Sequence, residues 1–399
     1  MRVVVPVEAR FDRTPDGRVW GLTPPTRSFW DRYLAVFDHV RVVARVRDVP
    51  APPAGALRVD GDDVEVWPVP WYRGPGEYLT RAAAVRRAVR GAAGPSDAVI
   101  ARVPSAVAGP LIAARREAGL PYALEVVGDP HEVFGPGVVA HPLRPLLRAW
   151  YTRNLRAQCR EAAAVAYVTE HVLQLRYPAS PTVVTAGYSS VDLPESAFAA
   201  APRGGIPAPL APVLVSIGSL DQLYKGIDTL IEAVAVLRGR GTAVRLVHAG
   251  DGRFRAALER LAAARGVADR VRFTGLLPTG AAVRDLLDAA DLFVMPSRTE
   301  GQGRALIEAM ARGLPAVGSA VGGIPEALDP ADLTPPDDPA ALAEAIQAFL
   351  TDPPRLAAAS ARNLARARDF AAATLAPRRT DFYTAVRRTC AAAPGRARR

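Results

Sequence analysis

Twice along this chain, β-branched runs bounded by Pro, Gly and Asp alternate with stretches of helical period, and a Pro- and Gly-rich run with neither period separates the two passages. That repetition is the strongest constraint on the fold. Strands alternating with helices make a parallel sheet wrapped on both faces, because each strand returns beside its neighbour only through a crossover. The first passage predicts strands over 3–7, 39–44, 64–69, 98–103, 123–127, 164–168 and 182–185, with helices over 28–37, 78–89, 106–117 and 143–161. The second predicts strands over 213–217, 244–248, 271–274, 292–295 and 315–318, with helices over 226–237, 253–264, 279–287, 305–312 and 323–328. Three helical segments follow, over 339–350, 354–370 and 377–388, before a basic tail of Arg396, Arg398 and Arg399.

The expected class is therefore α/β, with two Rossmann-like doubly wound domains facing a central cleft. The expected division is 1–195, a linker over 196–211 that includes Pro202 to Pro209, 212–375, and 376–399 as a helix and tail packing back on the first domain. A length of 399 residues suits two domains. In such halves a ligand sits at the carboxyl ends of the strands.

Composition removes several classes. Apolar residues at 49% and charged residues at 23% exclude a disordered or collagen-like chain. Two cysteines, Cys159 and Cys390, supply neither a disulfide framework nor a four-cysteine zinc site. Cys159 falls inside a helix and is expected to be buried. No apolar run approaches the roughly 20 residues of a membrane span. Met1-Arg2 leads straight into a strand-like run instead of a signal peptide. These features suit a reducing cytoplasm.

A net charge of +10 raises nucleic acid as a partner. The arginines are spread along the whole chain, however, and no aromatic-interleaved basic groove occurs, so nucleic acid is not expected. The surplus suits an anionic small molecule. Lys225 is the only lysine among 50 basic residues.

The segment Thr299-Glu300-Gly301-Gln302-Gly303-Arg304-Ala305-Leu306-Ile307-Glu308 follows a strand that ends Phe293-Val294-Met295-Pro296. Gly301 and Gly303 let backbone approach a ligand, and the free N–H groups of the helix that follows form an anion site. Glu300 and Glu308 can both face that site and accept bonds from sugar and ribose hydroxyls. The bland alternatives are an acid favoured by the helix macrodipole and a solvated helix residue. Lys225 opens a helix at an exposed strand-end loop, where an ammonium meets a diphosphate as a point charge, or is an ordinary surface lysine.

The segment resembles the retaining glycosyltransferases of family 4, the group 1 glycosyltransferases, which have the GT-B fold. Their Glu-x7-Glu motif corresponds to Glu300 and Glu308, with Gly303 in the glycine turn. The likeness extends upstream to Ile217-Gly218-Ser219-Leu220, Lys225-Gly226-Ile227-Asp228, Ala249-Gly250-Asp251-Gly252 and Val271-Arg272-Phe273-Thr274-Gly275. Downstream it takes in Gly313-Leu314-Pro315-Ala316-Val317 and Gly322-Gly323-Ile324-Pro325-Glu326.

The resemblance implies transfer of a sugar from a nucleotide diphosphate sugar, most simply a UDP-sugar, with retention of configuration and neither metal nor other cofactor. Glu300 would position the donor sugar and Glu308 the ribose. Lys225 and the helix start at Gly301, Gly303, Arg304 and Ala305 would meet the diphosphate, with Gly218 and Gly250 beside it and the turn at Phe273 contacting the base. No compelling protein nucleophile for the sugar is present, which favours front-face displacement. The acceptor would be a glycan, a lipid-linked glycan or a small metabolite such as an aminocyclitol. The alternatives are a nucleotide-sugar epimerase on the same fold and a sugar-nucleotide sensor without chemistry.

Departures from the family pattern are Ser219, where an arginine is usual, and Arg304, where a bulky apolar residue is usual. In the first half, Gly128 stands where the family histidine would be, leaving Asp129 and His131 as substitutes that touch substrate, or as a turn-former and a loop histidine. Trp20, between Gly17 and Gly21, is a stacking surface for a sugar or a packed loop aromatic. Asp60-Gly61-Asp62-Asp63 resembles a metal motif of another glycosyltransferase fold but reads as a hairpin turn. The helix carrying Leu143, Leu147, Trp150 and Leu155 with Arg144, Arg148, Arg156 and Arg160 reads as core-facing in preference to membrane-lying.

Overall fold

A computed structural model describes residues 1–22, 24–135, 138, 141–204, 211–278 and 280–393. Residues 205–210 of the expected linker, Thr279 at the start of one expected helix, and the tail arginines lie outside the described residues. Packing groups the chain into two units. One comprises 1–128, 152–188 and the chain from Ala376; the other comprises 129–151 and 189–375.

Among the described residues the first unit has a nine-stranded sheet: β1 (Arg2–Arg13), β2 (Val19–Gly21), β3 (His39–Asp48), β4 (Leu57–Arg58), β5 (Val64–Pro70), β6 (Ala98–Val103), β7 (Ala123–Val126), β8 (Ala164–Tyr167) and β9 (Val184–Gly187). The order β4-β2-β1-β6-β7-β8-β9 is joined by β3 on β1 and β5 on β3. The pairs are parallel except β1 with β2 and β2 with β4. Its helices are α1 (Asp31–Leu34), α2 (Gly74–Arg90), α3 (Ala108–Glu117), the second half of α5 and α6 (Val172–Arg176), once α4 (Pro130–Val133) and α5 (Arg144–Glu161) are counted in chain order. Val4, Val43, Val99, Leu124, Val165, Leu155 and Cys159 belong to its core. Burial drives the Cys159 thiol up to about 12.

The structure corrects the sequence reading at several places. β1 runs on to Arg13 where charged residues end the expected strand, because this stretch buries Phe11 and pairs Asp12 with Arg47 of β3. The stretch expected as one helix over 28–37 is a 3-10 turn, Arg27–Trp30, and a single α-turn, which together bury Trp30 and Tyr33. In α5 only the second half faces the core. Leu155 is buried, whereas Leu143 and Trp150 are exposed.

A carboxylate sits inside this first core. Glu125 of β7 accepts hydrogen bonds from Tyr33 Oη at 2.8 Å, Tyr188 Oη at 2.9 Å, Tyr383 Oη at 2.7 Å and the Arg102 guanidinium at 2.5 Å. Burial pushes its carboxyl up, but Arg102 and the three hydroxyls outweigh burial and hold it below the usual range. Tyr383 comes from the long helix near the end of the chain, described below.

The second unit is an all-parallel six-stranded sheet among the described residues: β10 (Val213–Ile217), β11 (Arg245–Ala249), β12 (Val271–Phe273), β13 (Leu292–Met295), β14 (Ala316–Ser319) and β15 (Leu333–Thr334), ordered β12-β11-β10-β13-β14-β15. Helices α7 (Ile227–Gly239), α8 (Arg255–Ala264), α9 (Ala281–Asp288), α10 (Arg304–Ala311), α11 (Ile324–Ala327), α12 (Pro339–Leu350) and α13 (Pro353–Ala367) follow in turn. Successive residues of β10 enter different cores: Leu214 packs with Leu230 and Val234 of α7, Val215 with Leu306 and Met310 of α10. A sheet covered on both faces needs such continuous apolar strands. The last helix, α14 (Ala372–Ala392), begins five residues before the expected start and carries Pro377 in its interior. No helix among the described residues is long and apolar enough to cross a membrane.

Candidate active site

In the second sheet the chain moves outward from β10 through β11 to β12, then returns to pair β13 with the other side of β10. The loops after β10 and β13 therefore flank the point where strand order reverses, the ligand position of an open α/β sheet. Gly218 follows β10 directly, and Pro296 to Gly303 follows β13. The glycine-containing loop at Gly250 follows β11.

Lys225 does not stand in α7. It ends a 3-10 turn, Leu223–Lys225, and Gly226 in left-handed conformation then caps the helix. Gly226 is required twice over: its φ is +67°, and a Cβ would lie 1.9 Å from the carbonyl oxygen of Pro296. The expected exposure of Lys225 is also corrected. Its side chain is only 15% exposed, and its methylenes cross the face of Gly218, where a Cβ would approach them to 3.1–3.2 Å.

The Lys225 ammonium donates to Glu300 Oε2 at 2.5 Å. The Glu300 side chain is 13% exposed, and Ser297 Oγ donates to the same oxygen at 3.4 Å. The backbone of this loop is held by the turn after β14. Gly323 N–H donates to Gly301 O at 3.0 Å. A Cβ on Gly322 would lie 1.7 Å from Glu300 O, so only glycine permits that approach.

Gly303, at φ +78°, starts α10, whose first N–H groups at Arg304 and Ala305 have no acceptor within the helix. Glu308 is half-buried one turn further on. Burial raises its carboxyl above the usual value, and the charge of Arg304 opposes that shift. Arg304 itself is exposed. Ser219, in the position that breaks the family pattern, is exposed and accepts from Asp221 N–H at 3.2 Å. The half-buried Phe273 lies in the turn that Gly250 joins by donating to Gly275 O at 2.9 Å.

Asp129 and His131 are found in local roles. Asp129 caps α4, accepting from His131 N–H at 2.9 Å. The His131 ring Nε2 lies 2.6 Å from the Arg148 guanidinium, which also donates to His131 O at 2.8 Å. Arginine only donates, so in that contact the ring nitrogen is the acceptor. Trp20, half-buried in β2, donates its indole N–H to Thr14 Oγ1 at 3.1 Å. The Asp60–Asp63 segment is a turn closed by reciprocal bonds between Gly61 and Val64.

Residues 211–352 match the model of the family described as glycosyl transferases group 1. Over that stretch the chain is similar to the group 1 glycosyltransferases. The chain is 26% identical to protein CapJ of Staphylococcus aureus over 78% of each chain. It is 31% identical to the 2-deoxystreptamine glucosyltransferase of Streptomyces kanamyceticus over 62% of this chain and 65% of that one. Its fold matches HepE of Anabaena, crystallised with UDP-glucose, at a TM-score of 0.64 and 19% identity, covering 96% of this chain and 98% of that one. The architecture is GT-B.

Sequence reasoning missed Arg298 in this site. Its backbone N–H donates to Tyr224 O at 2.7 Å, and its guanidinium donates to Leu223 O. It also grips Asp228 with two bonds of 2.9 and 2.8 Å and approaches Asp337 to 2.5 Å. Arg298 thereby clamps the Lys225 turn to the Glu300 loop. A signal existed, since Asp228 stands three residues after Lys225, but many helices carry a first-turn acid.

Proposed function

We propose that this protein is a glycosyltransferase that moves a hexose from a UDP-sugar to an acceptor hydroxyl with retention of anomeric configuration and without a metal ion. The observation that carries the reading is the Lys225–Glu300 pair at the strand-order switch, beside the start of α10. A cation and a helix N-terminus suit a departing diphosphate, because charge grows on that group as the glycosidic bond breaks. Glu300 accepts bonds from donor-sugar hydroxyls and fixes the anomeric carbon. Glu308 accepts from the ribose, and the Phe273 turn contacts the base. In front-face displacement the departing phosphate takes the acceptor proton on the side where the new bond forms.

On this reading the second unit holds the donor and the first receives the acceptor, with domain bounds near 1–195 and 212–375 and the chain from 376 packed on the first domain, in the cytoplasm. Asp129 and His131, in the 129–151 stretch that packs with the second unit, are the candidate contacts to substrate. The relative named for 2-deoxystreptamine makes an aminocyclitol the first acceptor to test, ahead of a glycan or a lipid-linked glycan. The structure of HepE with UDP-glucose supports a UDP-sugar as donor.

The test is product analysis after incubation with UDP-glucose and 2-deoxystreptamine, with and without a chelator. A new α-glycoside, formed equally in chelator, is expected. A β-glycoside, or turnover restored only by magnesium or manganese, would overturn the corresponding part. An altered donor sugar would indicate an epimerase, and nucleotide binding without any product a sensor.

A further inference from the structure

One buried imidazole lies behind the turn that carries the Lys225 stem. His248 of β11 is fully buried, and its register partner on β10 is Ser216. Ser216 Oγ lies 2.8 Å from His248 Nδ1, and His248 Nε2 lies 3.0 Å from Gly218 O. The partners fix the protons. A carbonyl only accepts, so Nε2 carries the hydrogen, and Ser216 must then donate to Nδ1. Burial drives the imidazole down to about 4, and the nearby Lys225 charge acts in the same direction, so the ring stays neutral at working pH.

The bonded carbonyl belongs to the residue whose open face the Lys225 methylenes cross. The other edge of the imidazole environment is the proposed base site: the His248 and Phe273 rings meet at 5.8 Å and 66°, and Thr274 N–H donates to His248 O at 3.0 Å. An apolar strand residue would fill the same space without holding Gly218.

We propose that His248 is a positioning residue for the donor diphosphate, acting through Gly218 to set the Lys225 ammonium. The inference rests on the proposed role of Lys225. A polar side chain at a fully buried strand position is retained where its hydrogen bonds specify one arrangement, and here that arrangement is the height of the Gly218 turn under the lysine.

The experiment compares His248→Gln, whose amide nitrogen reaches the place of Nε2, with His248→Asn, whose shorter amide reaches only the place of Nδ1. Readouts are affinity for UDP and the NMR signal of lysine labelled with ¹³C. Because Lys225 is the only lysine, that spectrum has one side-chain resonance to follow. His248→Asn is expected to shift the resonance and weaken UDP about 10-fold, and His248→Gln to leave both close to native. With Lys225→Ala in the background, His248→Asn should change UDP affinity less than about 2-fold, since its effect passes through the lysine. If His248→Asn does not fold, Ser216→Ala replaces it: losing the bond that fixes Nδ1 should broaden or shift the same resonance.

Equal effects of Gln and Asn, or an unmoved lysine resonance, would overturn the inference while leaving the donor site in place. Native UDP affinity in Lys225→Ala alone would overturn the reading of Lys225, and the inference with it.

Discussion

Lys225 and Glu300 neutralise each other where little solvent reaches either, so removing one charge strands the other. Lys225→Met keeps the stem on Gly218 and loses only the ammonium. It should lower stability by about 1–3 kcal/mol in urea unfolding, and adding Glu300→Gln should restore most of that loss. Turnover should stay down about 100-fold in both, because the donor that meets the growing leaving-group charge is gone; near-native kcat in Lys225→Met would contradict the assignment. Glu308 allows a pH test. Its carboxyl is raised in the fold by burial, so above its ordinary value of 4.5 the folded chain binds more protons than the unfolded one. Stability therefore falls as pH rises from that value through the raised one. Glu308→Gln should match the native protein below about pH 4 and be more stable at pH 7, while binding UDP about 10-fold less tightly from loss of a charged acceptor. A stability difference that grows toward low pH would contradict this. Both glutamates and the lysine were legible in the sequence through their spacing and the rarity of lysine. Their contact was not, because Lys225 and Glu300 are 75 residues apart, and nothing in either segment encodes which strand ends become neighbours.

At the level of elements, the entry to α7 depends on one backbone approach. Gly226→Ala must leave the left-handed region and also move Pro296, so it should destabilise by about 2–4 kcal/mol and abolish UDP binding, by urea unfolding and calorimetry. A folded Gly226→Ala protein with native affinity would show that the turn tolerates a shift. The apolar strands β6 and β10 and the helices α7 and α12 were readable because their apolar patterns persist over five or more residues. β4 and β15 were not, since two residues carry no period and exist through their neighbours, and α4 is a single turn. The continuation of β1 was hidden for another reason. Its Glu8 to Arg13 segment is charged, and only the pairing of Glu8 with Arg45, Asp12 with Arg47 and Arg13 with Asp48 of β3 turns those charges into a reason for the strand.

Across the whole molecule, the buried Glu125 ties segments that are remote in sequence. Arg102→Met should cost about 3–5 kcal/mol, as an uncompensated carboxylate stays behind. Tyr383→Phe, which removes one of four donors, should cost about 1–3 kcal/mol, with UDP affinity unchanged in both because the residues proposed to hold the nucleotide sugar lie in the other unit. Loss of UDP binding at full stability would refute that separation. An acid inside the apolar run Ala123-Leu-Glu-Val-Val127 signalled a buried partner, but the sequence could not name it: a tyrosine in an amphipathic helix looks like any other. The tie has a consequence for synthesis. Tyr383 is added 258 residues after Glu125, which at about 5–20 residues per second is roughly 13 to 50 s of translation. Once Tyr188 has been added, 63 residues after Glu125, a nascent first sheet on the ribosome holds its central carboxylate one donor short for the rest of that interval, and its final closure waits for α14 to emerge.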